Sequence, residues 1–512
     1  MHLRHITRLI LIALLVAWCF DQLFWRKSPG VSFFIMILIW LEAGLYLTRS
    51  ERLKPARNSF FLLVPILFFA FMAFQRLEPF TQAVNILLSI ACLLLLCVTW
   101  LGGRWWQYDL GDYLNNGLHF VFESLFSPIP VLAAQKRLAA ETDTGATRKP
   151  LASRLRPLLS LSLGLLLALP VVTVMTLLLA NADPLFNRQL QVLFQYLRIE
   201  KLAEYLYRLS YILILAYGFA GVLLYALLSS SKERVSSAGA LRLPPFLGWL
   251  EAVTVLACVD LLFAFFVAVQ FRYFFGGQAN IQLDGFTYAT YARRGFGELL
   301  AVAFLSLLLF LVLSWITRRA AGRSRRLFSA LGIALVGLVA VILVSAFQRL
   351  LLYEAAYGFT RQRAYTHIFM VWLGVLLLVT ALLEGLGRLR YFALASLLVC
   401  LGFGLTLNLV NVDAFIVRQN IARSLQQHEL DTAYLTSLSD DAVPALFESY
   451  HSDGLPAYIV RQLQGVLACR LSPGDSTPPH PWQSFNTSQY RGDLLLRLYQ
   501  EELKDYPPDA CW

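Results

Sequence analysis

Three stretches of the sequence place tyrosines, arginines and carboxylates at helical spacing beside long apolar runs. The first, 288–298, carries Tyr288, Tyr291, Arg293, Arg294 and Glu298. The second, 349–365, carries Arg349, Tyr353, Glu354, Tyr357, Arg361, Arg363 and Tyr365. The third, 408–420, carries Asn408, Asn411, Asp413, Arg418 and Asn420. Side chains three and four positions apart share one face of a helix. That spacing groups Tyr291 with Glu298 and either Arg294 or Gly295, and it aligns Arg349, Tyr353 and Tyr357. Arginine grips carboxylate or phosphate in a bidentate fork, and tyrosine adds a hydroxyl on an amphipathic ring. The chemistry within reach is recognition of an anionic group, such as a lipid phosphate or a glycan carboxylate. The expected binding cluster is Tyr291, Arg293, Glu298, Arg349, Tyr353, Glu354, Tyr357, Arg361, Arg363, Asp413 and Arg418. The competing reading is that these residues only staple helix ends together.

Ionisable residues inside apolar runs are a second lead, because each is costly in lipid and turns toward protein or water. Glu42, Glu251 and Glu384 sit near run ends, whereas Asp260 is near the middle of one. A hydrogen-bonded helix contact or an ion relay would each explain Asp260. Signatures of known reactions are missing: no metal-spaced His/Cys set, no phosphate-cradling glycine loop and no nucleophile elbow. The seven histidines are scattered, and His367, at a run end, reads as an interfacial structural residue. The sequence therefore predicts no catalytic set, no metal and no cofactor.

The elements that must position these residues follow from composition. The 512 residues are 58% hydrophobic and only 15% charged, with a mean hydropathy of +0.61. A soluble domain carries about 25% charged residues. Only lipid can solvate such a chain. The net charge of +11 sits in short basic clusters between apolar runs, which is a topology signal and argues against nucleic acid. The start, with Arg4 and Arg8 before an apolar run, resembles a signal peptide but lacks the small-residue cleavage site; it reads as a retained span. A ruler of ~20 apolar residues per crossing predicts about eleven spans. They lie at 6–24, 31–48, 59–75, 81–101, 158–180, 205–229, 246–271, 294–316, 327–349, 366–386 and 390–409. With the N-terminus cytoplasmic, inside segments hold 23 Lys and Arg against about 13 outside. That bias predicts N-inside and, with an odd count, the C-terminus outside.

Two connections are more than turns. The cytoplasmic loop 102–157 carries an interfacial aromatic stretch at 114–126 and a polar segment at 141–149, and 184–204 shows the apolar spacing of a surface helix. From Asn411 the composition turns polar. The expectation is an all-α polytopic protein, with a transmembrane domain at 1–410 and a small helical extracytoplasmic domain at 411–512. That domain would contain a helix at 413–427 running off the last span, one or two short helices at 430–449, a loop at 472–482 and a helix at 493–504. Ser439 or Asp440 is the expected N-cap before 442–447. Cys19, Cys92, Cys97, Cys258 and Cys400 lie in spans, whereas Cys469 and Cys511 lie in the exported tail, where a disulfide is expected.

Three motifs resemble the signatures of a family of uncharacterised bacterial multi-pass membrane proteins, classed as a domain of unknown function. They are Tyr-x-Arg-x-Gly-Phe at 291–296, Leu-Tyr-x-x-x-Tyr-Gly-x-Thr-x-x-Arg at 352–363, and Asn-x-Asp-Ala…Arg-x-Asn at 411–420; the segment 434–446 is also similar. The likeness spans roughly 250–450. Arg294 departs from it, since the pattern has an acid there. The resemblance implies a polytopic fold but lends no activity. The leading expectation is a non-enzymatic inner-membrane component of envelope assembly or signalling. Its partners would be membrane lipid, an anionic lipid or glycan, or another membrane protein. The alternatives are a secondary transporter using Asp260 and a transferase acting on lipid-linked substrates. The transferase reading is weakened by the first outer loop, 21–30, which offers one carboxylate.

Overall fold

The computed structural model describes residues 6–130, 199–232, 246–274, 296–318, 322–426, 429–471 and 481–504, with isolated positions between 175 and 189. The described residues are helical, with one isolated β-bridge between Leu247 and Thr317. Among the described residues, ten helices are long and apolar enough to cross a membrane. They match ten of the expected spans; the remaining one, 158–180, lies outside the described residues except at two positions. The segment 141–149 and most of 184–204 also lie outside them. The protein is an all-α, multi-pass membrane protein.

The chain divides into two compact units. One comprises residues 1–25, 42–53 and 120–228, the other residues 26–41, 54–119 and 229–512. In the first unit α1 (Ile6–Phe24) packs along α6 (Ile199–Leu224). The C-terminal part of α5 (Leu110–Phe126) meets α6 at Gly221, where an added Cβ would lie 1.8 Å from the Ser124 carbonyl oxygen. Backbones approach this closely in membranes where a small residue permits it.

The second unit is a row of neighbouring helices. The hairpin of α3 (Leu63–Gln75) and α4 (Pro79–Val98) packs on α11 (Phe392–Val410). That helix meets α10 (Arg361–Gly385), which meets α9 (Arg323–Tyr357). The far side of α9 receives α7 (Trp249–Phe274) and α8 (Phe296–Ile316). Phe310 of α8 and Phe328, Leu335 and Ile342 of α9 form the buried seam. Large apolar side chains such as Leu261, Phe265, Leu378 and Leu409 stay exposed. That outward-facing apolar surface is what a lipid-solvated bundle requires.

One helix explains where the polar cluster must fall. The 35 residues of α9 extend roughly 50 Å at 1.5 Å per residue, well beyond the ~30 Å hydrocarbon core. Its uncharged, mostly apolar stretch, 327–347, is about as long as the core is thick. Arg349, Tyr353, Glu354 and Tyr357 therefore project past the lipid on the last turns, at the end of the bundle that we call the tail side.

Residues after 411 fold onto that end. Asn411 adopts a left-handed φ of 49° and breaks the chain between α11 and α12 (Val412–Ser424). The helix expected at 413–427 is α12, and this kink sets it off from the last span. Ser439 caps the 3₁₀ turn that leads into α14 (Val443–Tyr450), as expected, after the short α13 (Thr432–Thr436). The next helices are α15 (Ala457–Arg470), α16 (Thr487–Leu498) and α17 (Gln500–Leu503). A final short helix was expected over 493–504; Asn486 instead starts α16 six residues earlier, accepting from Ser488 and Gln489 N–H. Ile416, Val417, Val443, Leu446, Ile459 and Leu463 form the core of this segment.

Candidate functional site

Asp413 is the centre of the polar residues on the tail side. It is fully buried, in the first turn of α12. Its Oδ1 accepts from Arg361 Nε at 2.7 Å and its Oδ2 from Arg361 Nη2 at 2.6 Å. Oδ2 also accepts from the Ser439 N–H at 2.8 Å and the Ser439 hydroxyl at 2.6 Å. The Arg361 N–H donates to the Tyr434 hydroxyl at 2.8 Å. One carboxylate thus joins α10, α12 and the turn after α13, while the Arg361 N–H holds Tyr434 of α13 itself. Burial pushes the Tyr434 phenol above its ordinary value, against the pull of neighbouring Arg361.

A second buried carboxylate, Asp441, takes the Leu77 and Glu78 N–H groups at 2.8 and 2.7 Å. Glu78 in turn caps α4 by accepting from Phe80 and Thr81 N–H. Acids on unpaired N–H groups at a helix start satisfy both the donors and the helix dipole. Arg76 donates to the Asn408 carbonyl. Burial lowers its pKa, Asp441 opposes that, and Arg491 adds to it.

Three further arginines, Arg423, Arg363 and Arg470, serve backbone carbonyl oxygens. Arg423 donates to the Ala355 and Ala356 carbonyls at 3.0 and 2.7 Å, and Arg363 donates to that of Gly358. These are the unpaired acceptors at the C-terminal end of α9, where a cation is favoured. Gly358 turns the chain there with a φ of 79°, and Asn420 holds the following residue by both its N–H and its carbonyl. Arg363 also lies over the Tyr353 ring, 4.1 Å from its centroid. Arg470 repeats the pattern, donating to the Leu435 and Leu438 carbonyls at 3.0 and 2.8 Å.

The expected binding residues thus fall into separate sets. Arg361 and Asp413 pair with each other, and Arg363 meets Tyr353. Arg349 donates to Gln270 Oε1 at 3.0 Å, which also receives the Ser345 hydroxyl. Glu354 is buried and pairs with His367 Nδ1 at 2.9 Å. Tyr357 is exposed and its ring meets that of Tyr353 at a tilt, centroids 5.0 Å apart, Arg418 forms an exposed pair with Glu448, and Glu298 is exposed at the start of α8. Tyr291 and Arg293 lie outside the described residues. Asp260 is buried mid-span, and neither of its carboxylate oxygens has a hydrogen-bond partner among the described residues. Cys469 is disulfide-bonded; Cys511 lies outside the described residues.

The sequence reading missed two polar contacts. Asp21, buried on α1, accepts from both Arg208 and Tyr211 of α6. The signal was present: an acid near the end of the first span and a base near the start of another. His367 was read as an interfacial structural residue without a named partner; α9 brings Glu354 to its ring, with Phe347 edge-on at 4.6 Å.

A family model described as Domain of unknown function (DUF4153) matches residues 62–449. No curated protein and no solved structure matches the chain.

Proposed function

The chain belongs to the DUF4153 family, and we propose that it is a non-enzymatic envelope component that presents residues 411–512 as a fixed platform. In this reading it sits in an inner membrane with its N-terminus cytoplasmic and its tail outside. The platform receives a partner membrane protein or an anionic lipid or glycan. The observation that carries the proposal is the saturation of Asp413 by Arg361 and Ser439. Charges that could have faced a substrate instead fix the tail to the spans. The exposed faces of α12, α14 and α15, with Arg418, Glu448, Tyr458 and Arg461, are then the surfaces left for a partner.

Site-specific photo-crosslinking in intact membranes tests this. A photoreactive residue at 458 or 461 should give one adduct of discrete mass. Arg361→Ala should abolish it without loss of insertion. The neutral pair Arg361→Gln with Asp413→Asn, which keeps hydrogen-bonding groups in place, should retain it. Absence of an adduct from 458, 461 and 418 alike overturns the platform reading.

Asp260 favours a second reading, a secondary transporter. A buried mid-span carboxylate without a hydrogen-bond partner among the described residues suits a proton-carrying group. Proteoliposomes loaded with a pH-sensitive dye would show proton movement that Asp260→Asn removes. Identical traces for both proteins would eliminate this reading.

A further inference from the structure

The face of α16 that points away from the tail core carries the wrong residues for water. Ser488, Gly492 and Leu496 are buried, and Gly492 sits with an ideal Cβ position 3.0 Å from that of Asp440. The opposite face presents Tyr490, Leu494 and Leu498 at 57, 51 and 67% exposure. These lie at i, i+4 and i+8, a continuous stripe along the helix. Just before the helix, Trp482 and Phe485 are also exposed, and the Phe485 and Tyr490 rings are in contact. A solvated helix of this length would carry its polar residues there.

The attachments of α16 set its height against the bilayer. The Phe485 carbonyl accepts from the N–H of Val31 at 2.9 Å, the first residue of spanning helix α2 (Val31–Ser50). The Ser484 hydroxyl donates to the Ser28 carbonyl at 3.0 Å, and Asn486 donates to the Arg76 carbonyl at 3.0 Å. Arg76 directly follows α3, against which α16 packs. The start of α16 is therefore bonded to the points where two spans leave the hydrocarbon. Its apolar face begins at the membrane–water boundary.

At 100° per residue, exposed Arg491 and Arg497 flank the stripe on its two sides, while exposed Asp493 lies farther round. Arginines bordering a Trp/Tyr/Leu face are the pattern of a helix lying in the headgroup region: apolar side chains enter the acyl boundary and basic heads reach phosphate.

We propose that α16, with Trp482 and Phe485, is an interfacial anchor that seats its Tyr490–Leu494–Leu498 stripe in the tail-side leaflet and binds anionic headgroups through Arg491 and Arg497. The occupant of this face is the bilayer that α2 and α3 already cross. The inference does not depend on what the platform receives.

The test uses full-length protein in liposomes with an environment-sensitive fluorescent amino acid at position 494, and at 493 as the solvent-facing control. With brominated acyl chains in the bilayer, the probe at 494 should emit blue-shifted light and lose at least half its intensity, while that at 493 emits as in water without quenching. Quenching at 494 should be at least twofold stronger with phosphatidylglycerol present than in phosphatidylcholine alone. Arg491→Gln with Arg497→Gln should erase that difference. Water-like emission at 494 overturns the proposal. So does a blue shift without bromine quenching, which would mean that protein covers the stripe. Equal quenching in both lipids overturns the headgroup assignment.

Discussion

Asp413 and Arg361 meet edge to edge, two nitrogens against two oxygens at 2.7 and 2.6 Å, and Asp413 has no exposure to solvent. Breaking a buried pair by removing one partner leaves an uncompensated charge and costs ~3–5 kcal/mol. Arg361→Ala should therefore lower the thermal stability of the tail by that order. It should also open residues 430–470 to limited proteolysis while the spans stay inserted. The neutral pair Arg361→Gln with Asp413→Asn should lose far less. Equal losses from the single and double variants would show that charge pairing is not what holds the segment.

Asn85 and Asn408 exchange amide hydrogen bonds at 3.0 and 2.6 Å between α4 and α11, both fully buried. Beside them, a Cβ on Gly404 would lie 2.4 Å from Leu88 Cδ1, so the two helices are close. Interhelical polar pairs in membranes contribute about 0.6–2 kcal/mol. Asn85→Leu alone should destabilise by that amount or more, since the Asn408 Oδ1 loses its donor while its Nδ2 keeps only the Gly404 carbonyl. The double variant with Asn408→Leu should recover part of the loss. A double-mutant cycle with no coupling would contradict the pairing.

Much of this fold was legible in the sequence because lipid imposes a simple rule: ~20 apolar residues per crossing. The ten described spans follow from it. The ends of helices were less legible because capping is decided by backbone groups that hydropathy does not register. The reading grouped Arg293, Arg349, Arg361 and Arg363 with Glu298, Glu354 and Asp413 in one anion-binding cluster. Arg363, like Arg423, instead serves carbonyl oxygens at the end of α9. The role of Asn486 was hidden for a related reason, since it also donates to the Arg76 carbonyl, a contact far away in sequence.

Cys469 is disulfide-bonded, and the five cysteines at 19, 92, 97, 258 and 400 are free. The pairing expected from the sequence is with Cys511. Closing a loop of ~40 residues would stabilise the tail by ~3–4 kcal/mol in the chain-entropy model. Non-reducing peptide mapping should find a single 469–511 linked peptide. Cys511→Ser should leave Cys469 alkylatable. A thiol at 469 in the untreated protein would refute the bridge.

Gly358 ends α9 with a φ of 79°, and its missing Cβ leaves room for Asn420, whose Oδ1 would lie 2.9 Å from one. With ψ at 176° this is a backbone region that is nearly glycine-only, and it costs another residue roughly 1–3 kcal/mol. Gly358→Ala should therefore lose at least that much, by strain and by displacing Asn420 from the Phe359 N–H and carbonyl. Asn420→Ala removes only the hydrogen bonds, which contribute about 0.5–1.5 kcal/mol each. Once Asn420 is gone, the added methyl meets no amide, so Gly358→Ala should cost less in the Asn420→Ala background than alone. Thermal unfolding of the four proteins in one lipid mixture measures this difference. Strict additivity would mean that Asn420 does not set the turn, and the glycine would then be needed for its dihedral angle alone.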